Sequence, residues 1–301
     1  MYLSRFLTRA SLVFEKKWLA SDIALNSTFI PFCALNLLFN SFIWSWGTSS
    51  SFFPQTTKPD AGHGDNNTAV GHYALGANTT GGNNIAIGRE SLGANTTASN
   101  NTAVGYFALT TNTTGTGLAA FGQGALQAST GNDNTALGAN SLQANTTGAN
   151  NTAVGRSALV ANTTGEYNVA VGSGALDANT TGVKNTALGY GAMGDNTTGN
   201  YNVLIGPSAG ANITTSNGNT FVGKDTGNQC TTGNGLSVCL GYFAGKGQGN
   251  LDRQLYIARD DSGLNSTGMW IYGNADAQCY QGSNSSTWYT TCDIRLKKNV
   301  T

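Results

Sequence analysis

The chain has 301 residues, 15 Lys+Arg against 15 Asp+Glu, and only 10% charged residues. Zero net charge gives no electrostatic footprint for nucleic acid or an anionic membrane, and two His with five Cys leave little for a metal site. Forty-one Gly, with abundant Asn and Thr, argue against long helices and against a doubly wound enzyme, because all three are poor helix formers.

Residues 1–50 stand apart from the rest. Arg5, Arg9, Lys16 and Lys17 precede an apolar run from Phe29 to Trp46, broken by Pro31, Asn36, Asn40, Ser41 and Ser45. A basic flank before an apolar stretch resembles a secretion signal or signal anchor, although the run is polar for a membrane span. The alternative is untranslated or non-native sequence. Residues 51–66, rich in Ser, Thr, Gly and Asn, read as a linker.

At Asn67 a repeat begins: Asn-Thr-Ala-Val-Gly-His-Tyr-Ala-Leu-Gly-Ala-Asn-Thr-Thr-Gly-Gly-Asn. Eleven copies start at Asn67, Asn84, Asn101, Leu118, Asn134, Asn151, Asn168, Asn185, Asn202, Asn219 and Ser237. The step is 17 residues, except 16 after Leu118 and 18 after Asn219. Position 5 is Gly in every copy, from Gly71 to Gly241, and position 4 is always large and apolar, from Val70 to Leu240. Position 9 is Leu from Leu75 to Leu176, then Met193, then Gly210, Gly227 and Gly245, so the array drifts or caps at its C-terminal end.

Each copy holds two short apolar bursts between turn residues. Bursts this short do not make helices, and Thr-Ala-Val has strand character. Asn-Thr-Thr-Gly supplies a turn, because Asn and Gly tolerate positive φ. Two strands and two turns per copy predict one rung of a coil. The expected fold is all-β: a parallel β-roll or β-solenoid of about eleven rungs over residues 67–245, with an aromatic-rich β cap. Stacking aligns position 4 with position 4, and position 9 with position 9, as apolar ladders. Rungs spaced by about 4.8 Å give a rod of roughly 50 Å. Such a thin core predicts an oligomer, with the small positions 3 and 8 (Ala69, Ala74, Ala103, Ala108, Ala153, Ala158) allowing close approach of chains. A monomeric solenoid that uses these alanines for tight packing is the alternative.

The repeated Asn-Thr-Ala-Val-Gly-x-x-Ala-Leu resembles the head repeat of trimeric autotransporter adhesins, with a longer period, and the repeats of phage and bacterial tail-fibre-like proteins. The resemblance implies a β-roll of three chains packed side by side, in an extracellular fibre or adhesin stalk.

Residues 246–291 carry Leu255-Tyr256-Ile257, Met269-Trp270-Ile271-Tyr272, Tyr280, Trp288 and Tyr289, and read as short strands of a cap or neck. The chain then runs Thr291-Cys292-Asp293-Ile294-Arg295-Leu296-Lys297 to Thr301. Residues 292–301 resemble the opening of the intramolecular chaperone domain of the endosialidase and phage tail-spike family, which typically reads Ser-Asp-x-Arg-Leu-Lys. That domain drives trimerisation and then cuts itself off. By the resemblance Cys292 stands at the nucleophile and Lys297 at its base, with Cys in place of Ser and the chaperone domain cut short. A lowered thiol pKa beside cations would permit the chemistry. The other reading makes Cys292 half of a disulfide and Lys297 a solvated charge.

Cys33 lies in the apolar run. Nine residues separate Cys230 from Cys239 and thirteen separate Cys279 from Cys292, so both pairs are candidate disulfides in an oxidising compartment. Asn-x-Ser/Thr sequons recur at the turn: Asn78, Asn95, Asn112, Asn145, Asn162, Asn179, Asn196 and Asn212, with others at Asn66, Asn100, Asn150, Asn265 and Asn284. These are either glycosylation sites or plain turn chemistry. No paired carboxylates, phosphate loop or repeating Asp accompany them.

The sequence therefore predicts a non-enzymatic, extracellular, cell-surface or virion fibre. Its expected partners are two copies of itself and a surface glycan or receptor, with no nucleic acid, cofactor or metal. The alternative is a tail-fibre-like receptor- or carbohydrate-binding module released by cleavage at Cys292.

Overall fold

The computed structural model describes residues 64–228, 235–246 and 252–258, and the backbone of Met269–Gly273 and Cys279–Tyr280, all within the unit Ser50–Thr301. The fold is a β-solenoid of about eleven turns. Its strands are β1 (Thr68–Val70), β2 (Ile85–Ile87), β3 (Thr102–Val104), β4 (Ala119–Phe121), β5 (Thr135–Leu137), β6 (Thr152–Val154), β7 (Val169–Val171), β8 (Thr186–Leu188), β9 (Val203–Ile205), β10 (Thr220–Val222), β11 (Val238–Leu240) and β12 (Leu255–Ala258). Consecutive strands pair in parallel without a crossover. Register holds through the short rung, where Ala119 meets Thr135, and through the long step, where Thr220 meets Val238. Val104, Val154 and Val171 lie in one ladder, joined through Phe121 and Leu137.

Two expectations need correction. Each rung contributes one strand, at positions 2–4, rather than two. The second burst, at positions 7–9, is a turn in which position 9 adopts a left-handed backbone, with φ of +51° at Leu75 and +52° at Leu159. Adjacent turns still pair: Leu75 N–H donates to Ser91 O at 3.0 Å, and Ala77 N–H to Gly93 O at 3.1 Å. β12 also extends the parallel stack, with Val238 opposite Leu255. The cap begins only at β13 (Met269–Gly273) and β14 (Cys279–Tyr280), which pair antiparallel.

The orientation of the strands corrects half of the expected core: position 9 is interior as expected, and position 4 is not. Position 3 points inward: Ala86, Ala103, Ala120, Ala136, Ala153, Ala170 and Ala187 are fully buried. So are the position-8 Ala and Ser residues and the position-9 Leu side chains, from Ala108 and Leu109 to Ala175 and Leu176. Position 4 therefore faces outward, because successive strand residues alternate faces. Ala was expected to line an outer contact; it fills the tight interior instead, beside the one large side chain per rung.

Near the C-terminal end this packing inverts. Position 3 becomes Leu204, Phe221, Cys239 and Tyr256, all buried, while position 9 becomes Gly210, Gly227 and Gly245. A Cβ on Gly210 would lie 2.1 Å from the Leu204 side chain, and one on Gly227 would lie 2.2 Å from the Phe221 ring. In the Leu204 and Phe221 rungs the large group has moved from the turn to the strand. The apparent drift at position 9 is a repacked core.

Position 5 has a separate requirement. Gly172 has φ +139°, and a Cβ there would sit 2.3 Å from Gly189 O of the next rung. Only Gly satisfies both the dihedral and the approach.

Candidate functional site

Two Asn columns run through the interior, and neither was legible as such in the sequence. At position 1, the Asn84 N–H donates to Asn67 Oδ1 at 2.9 Å, and the same bond recurs from Asn151 to Asn134 and from Asn219 to Asn202. From Asn67 to Asn202 each Nδ2 of this column donates to a carbonyl fourteen residues on, such as Asn151 to Gly165 O at 2.8 Å, tying the start of a rung to its end. At position 12, Asn162 Nδ2 donates to Asn145 Oδ1 at 2.8 Å, Asn179 Nδ2 to Asn162 Oδ1 at 2.7 Å and Asn196 Nδ2 to Asn179 Oδ1 at 2.8 Å. The short rung departs at both columns: Leu118 replaces the first Asn and Ser129 the second, with Ser129 Oγ accepting from Asn145 Nδ2 at 3.1 Å. Asn95 Oδ1 is buried with no hydrogen-bond partner, so the position-12 column is interrupted before Asn112.

The position-12 column contains most of the expected glycosylation sites. Asn95, Asn112, Asn145, Asn162, Asn179 and Asn196 are fully buried, and in each the amide nitrogen donates within the stack. A glycan attaches at that nitrogen, so these six side chains cannot carry one in the folded rung. Asn78 is half-buried and donates to Gly81 O at 2.9 Å. Asn212 is half-buried and lies one residue before the column, whose position Ile213 fills. The exposed sequons are Asn66, Asn100 and Asn150, immediately before the strands.

The outward face of the sheet is the larger surface feature. Positions 2 and 4 of rungs 1–11 carry Thr, Val, Ile, Leu, Ala and Phe and no charged residue. Leu137 is 50% exposed, Leu188 45%, Ile87 and Phe121 each 40%. Charges flank this face at positions 6 and 7. Arg89 pairs with Glu90 at 2.9 Å and lies 5.7 Å from the Tyr106 ring centroid. Lys224 lies 5.3 Å from Tyr242, and its hydrogen bond to Asp225, then the charge of Tyr242, holds its amine above the usual range. A further column before the strands stacks Lys184 5.3 Å from the Tyr201 ring, with Tyr167 52% exposed one rung earlier. His72 packs edge-on against Tyr73.

In the turn at positions 10 and 11, burial raises the Asp177 carboxyl above its ordinary value, and Asp195 on the next rung adds to the shift. No group of three or more His, Cys, Asp or Glu suited to a metal occurs among the described residues. No helix among them is long and apolar enough to cross a membrane.

The proposed cleavage pair, Cys292 and Lys297, lies outside the described residues, as do Cys230, Trp288 and residues 1–50. Cys239 is fully buried at position 3, and Cys279 begins β14. Comparison with protein-family models, with curated proteins and with solved structures finds no match.

Proposed function

We propose that this chain is the stalk of an extracellular fibre, a structural and non-catalytic element that assembles as a homotrimer and holds an attachment surface away from its anchor. One observation carries the reading: twelve parallel strands stack in register without interruption. At about 4.8 Å per strand such a stack is roughly 50 Å long. Backbone bonds join every rung to the next, and interior Asn side chains fasten most of them, so length and stiffness are what the repetition provides. Adding whole rungs to the chain should lengthen the particle seen by small-angle scattering at constant cross-section; a particle that thickens without lengthening would reject the stalk.

A tail-fibre-like module that binds a glycan or receptor is the second reading. It is favoured by exposed tyrosines, Tyr190 at 71% and Tyr201 at 59%, whose rings offer flat apolar platforms. A glycan array would detect binding that Tyr190→Ala and Tyr201→Ala abolish; no binding to any glycan would remove this reading.

A further inference from the structure

We infer that the outward face of the sheet, positions 2 and 4 of the rungs, is the surface on which copies of this chain pack against one another, parallel and level. The inference rests on the stalk reading and assigns its interface, replacing the Ala positions that the sequence pointed to. Those alanines are interior and are not accessible to a partner.

Three observations select this face and this partner. The first is its chemistry. A soluble surface normally mixes charged groups through its apolar area. Here two residues in each of eleven successive rungs exclude charge, while Arg89, Arg156, Lys224, Glu90 and Asp225 lie just beyond, at positions 6 and 7. The second is extent. The stripe is roughly 50 Å long and about 10 Å wide, or on the order of 500 Å². A contiguous charge-free patch of that size is in the range that marks an interaction surface on a soluble protein.

The third is period. The side chains form ridges one rung apart, about 4.8 Å. A partner must match that spacing over the whole stripe. A docked helix has a pitch of about 5.4 Å and would drift by about 6 Å over eleven rungs, more than one full rung. A second copy matches at every rung. Three copies close only around a rotation axis. With that axis along the stack, equal rungs meet at equal height, so Leu137 of one copy approaches Leu137 of the next.

The test uses the full chain. Leu137→Lys with Leu188→Lys places two charges on the face at side chains that contribute little to the intrachain core. Light scattering should show the mass falling threefold, to the 31.0 kDa of one chain, with an unchanged circular dichroism spectrum. Thr147→Lys with Thr198→Lys alters exposed positions in the same two rungs, away from the face, and should leave the mass alone. Should the first variant fail to fold, Leu137→Cys decides instead: mild oxidation should link equal positions and produce covalent pairs absent from the wild type. A variant that keeps the wild-type mass, or a Leu137→Cys chain that forms no pairs, overturns the inference. A wild-type monomer that lengthens when whole rungs are added overturns it while leaving the stalk standing, whereas a particle that does not lengthen overturns the stalk itself.

Discussion

Replacing Asn162 by Ala should be among the most costly single changes in the chain, although it lies in a stretch that reads as a polar turn. Asn162 is fully buried. Its Nδ2 donates to Asn145 Oδ1 at 2.8 Å and to Gly165 O at 3.0 Å, and its Oδ1 accepts from Asn179 Nδ2 at 2.7 Å. Gly165 O keeps a second donor in Asn151 Nδ2, so it is not orphaned. Asn145 Oδ1 and one hydrogen of Asn179 Nδ2 are. Each buried group left unsatisfied costs about 1–3 kcal/mol, so the loss should be about 2–6 kcal/mol. The chain provides its own control, because Ser129 stands at the equivalent position of the short rung and accepts from Asn145. Asn162→Ser should therefore be milder than Asn162→Ala. Urea unfolding followed by circular dichroism gives both values, read as differences between variants because stacked repeats unfold with imperfect cooperativity. An Asn162→Ala protein within about 0.5 kcal/mol of the wild type would refute the interior Asn column, since that is the scale of an ordinary surface substitution.

Three further outcomes follow from the same geometry. Gly227→Leu should clash with Phe221 and destabilise by at least about 1–3 kcal/mol, and adding Phe221→Ala should recover part of that loss; strictly additive effects in a thermal-melt cycle would contradict the inverted packing. Expression in a host that attaches N-glycans should place sugar at the exposed Asn100 and Asn150 and none at Asn145, Asn162 or Asn179; mass spectrometry of glycopeptides from folded protein checks this, and occupancy at Asn162 would count against it. Asp177 has a raised pKa in the folded state, so the fold binds its proton more tightly than the unfolded chain does, and stability attributable to this group rises as pH falls. Asp177→Asn should raise the melting temperature at pH 7, with the advantage disappearing below the ordinary carboxyl value of 3.8; a pH-independent difference would rule out titration as the cause.

The repeat made the rung legible. A fixed Gly at position 5 and a fixed apolar residue at position 4 give the period, the place of the first strand and the stacking. The direction of the strand was not legible from hydrophobicity, because the larger residue, Val70 or Ile87, faces out and the smaller, Ala69 or Ala86, faces in. Narrowness decides this: opposite walls approach so closely that one Leu per rung fills the interior and a second large group would not fit, as Gly210 and Gly227 show when Leu204 and Phe221 take the space. Asn was misleading for a related reason. Its tolerance of left-handed backbone is used at Asn66, Asn83, Asn100 and Asn150, but at positions 1 and 12 it is an interior hydrogen-bonding residue. The recurrence of Asn at fixed spacing, next to apolar neighbours, was the available signal. Of the candidate sites, the sequons from Asn66 to Asn212 lie in the rungs, whereas Asn265, Asn284, Cys292 and Lys297 fall outside the described residues.

The account depends on one 17-residue unit adding one rung. Duplicating residues 134–201 inserts four whole rungs in frame. Small-angle scattering should then show the longest dimension growing by about 19 Å, four steps of about 4.8 Å, with an unchanged cross-section. A particle that thickens without lengthening, or a chain that no longer folds, would contradict it.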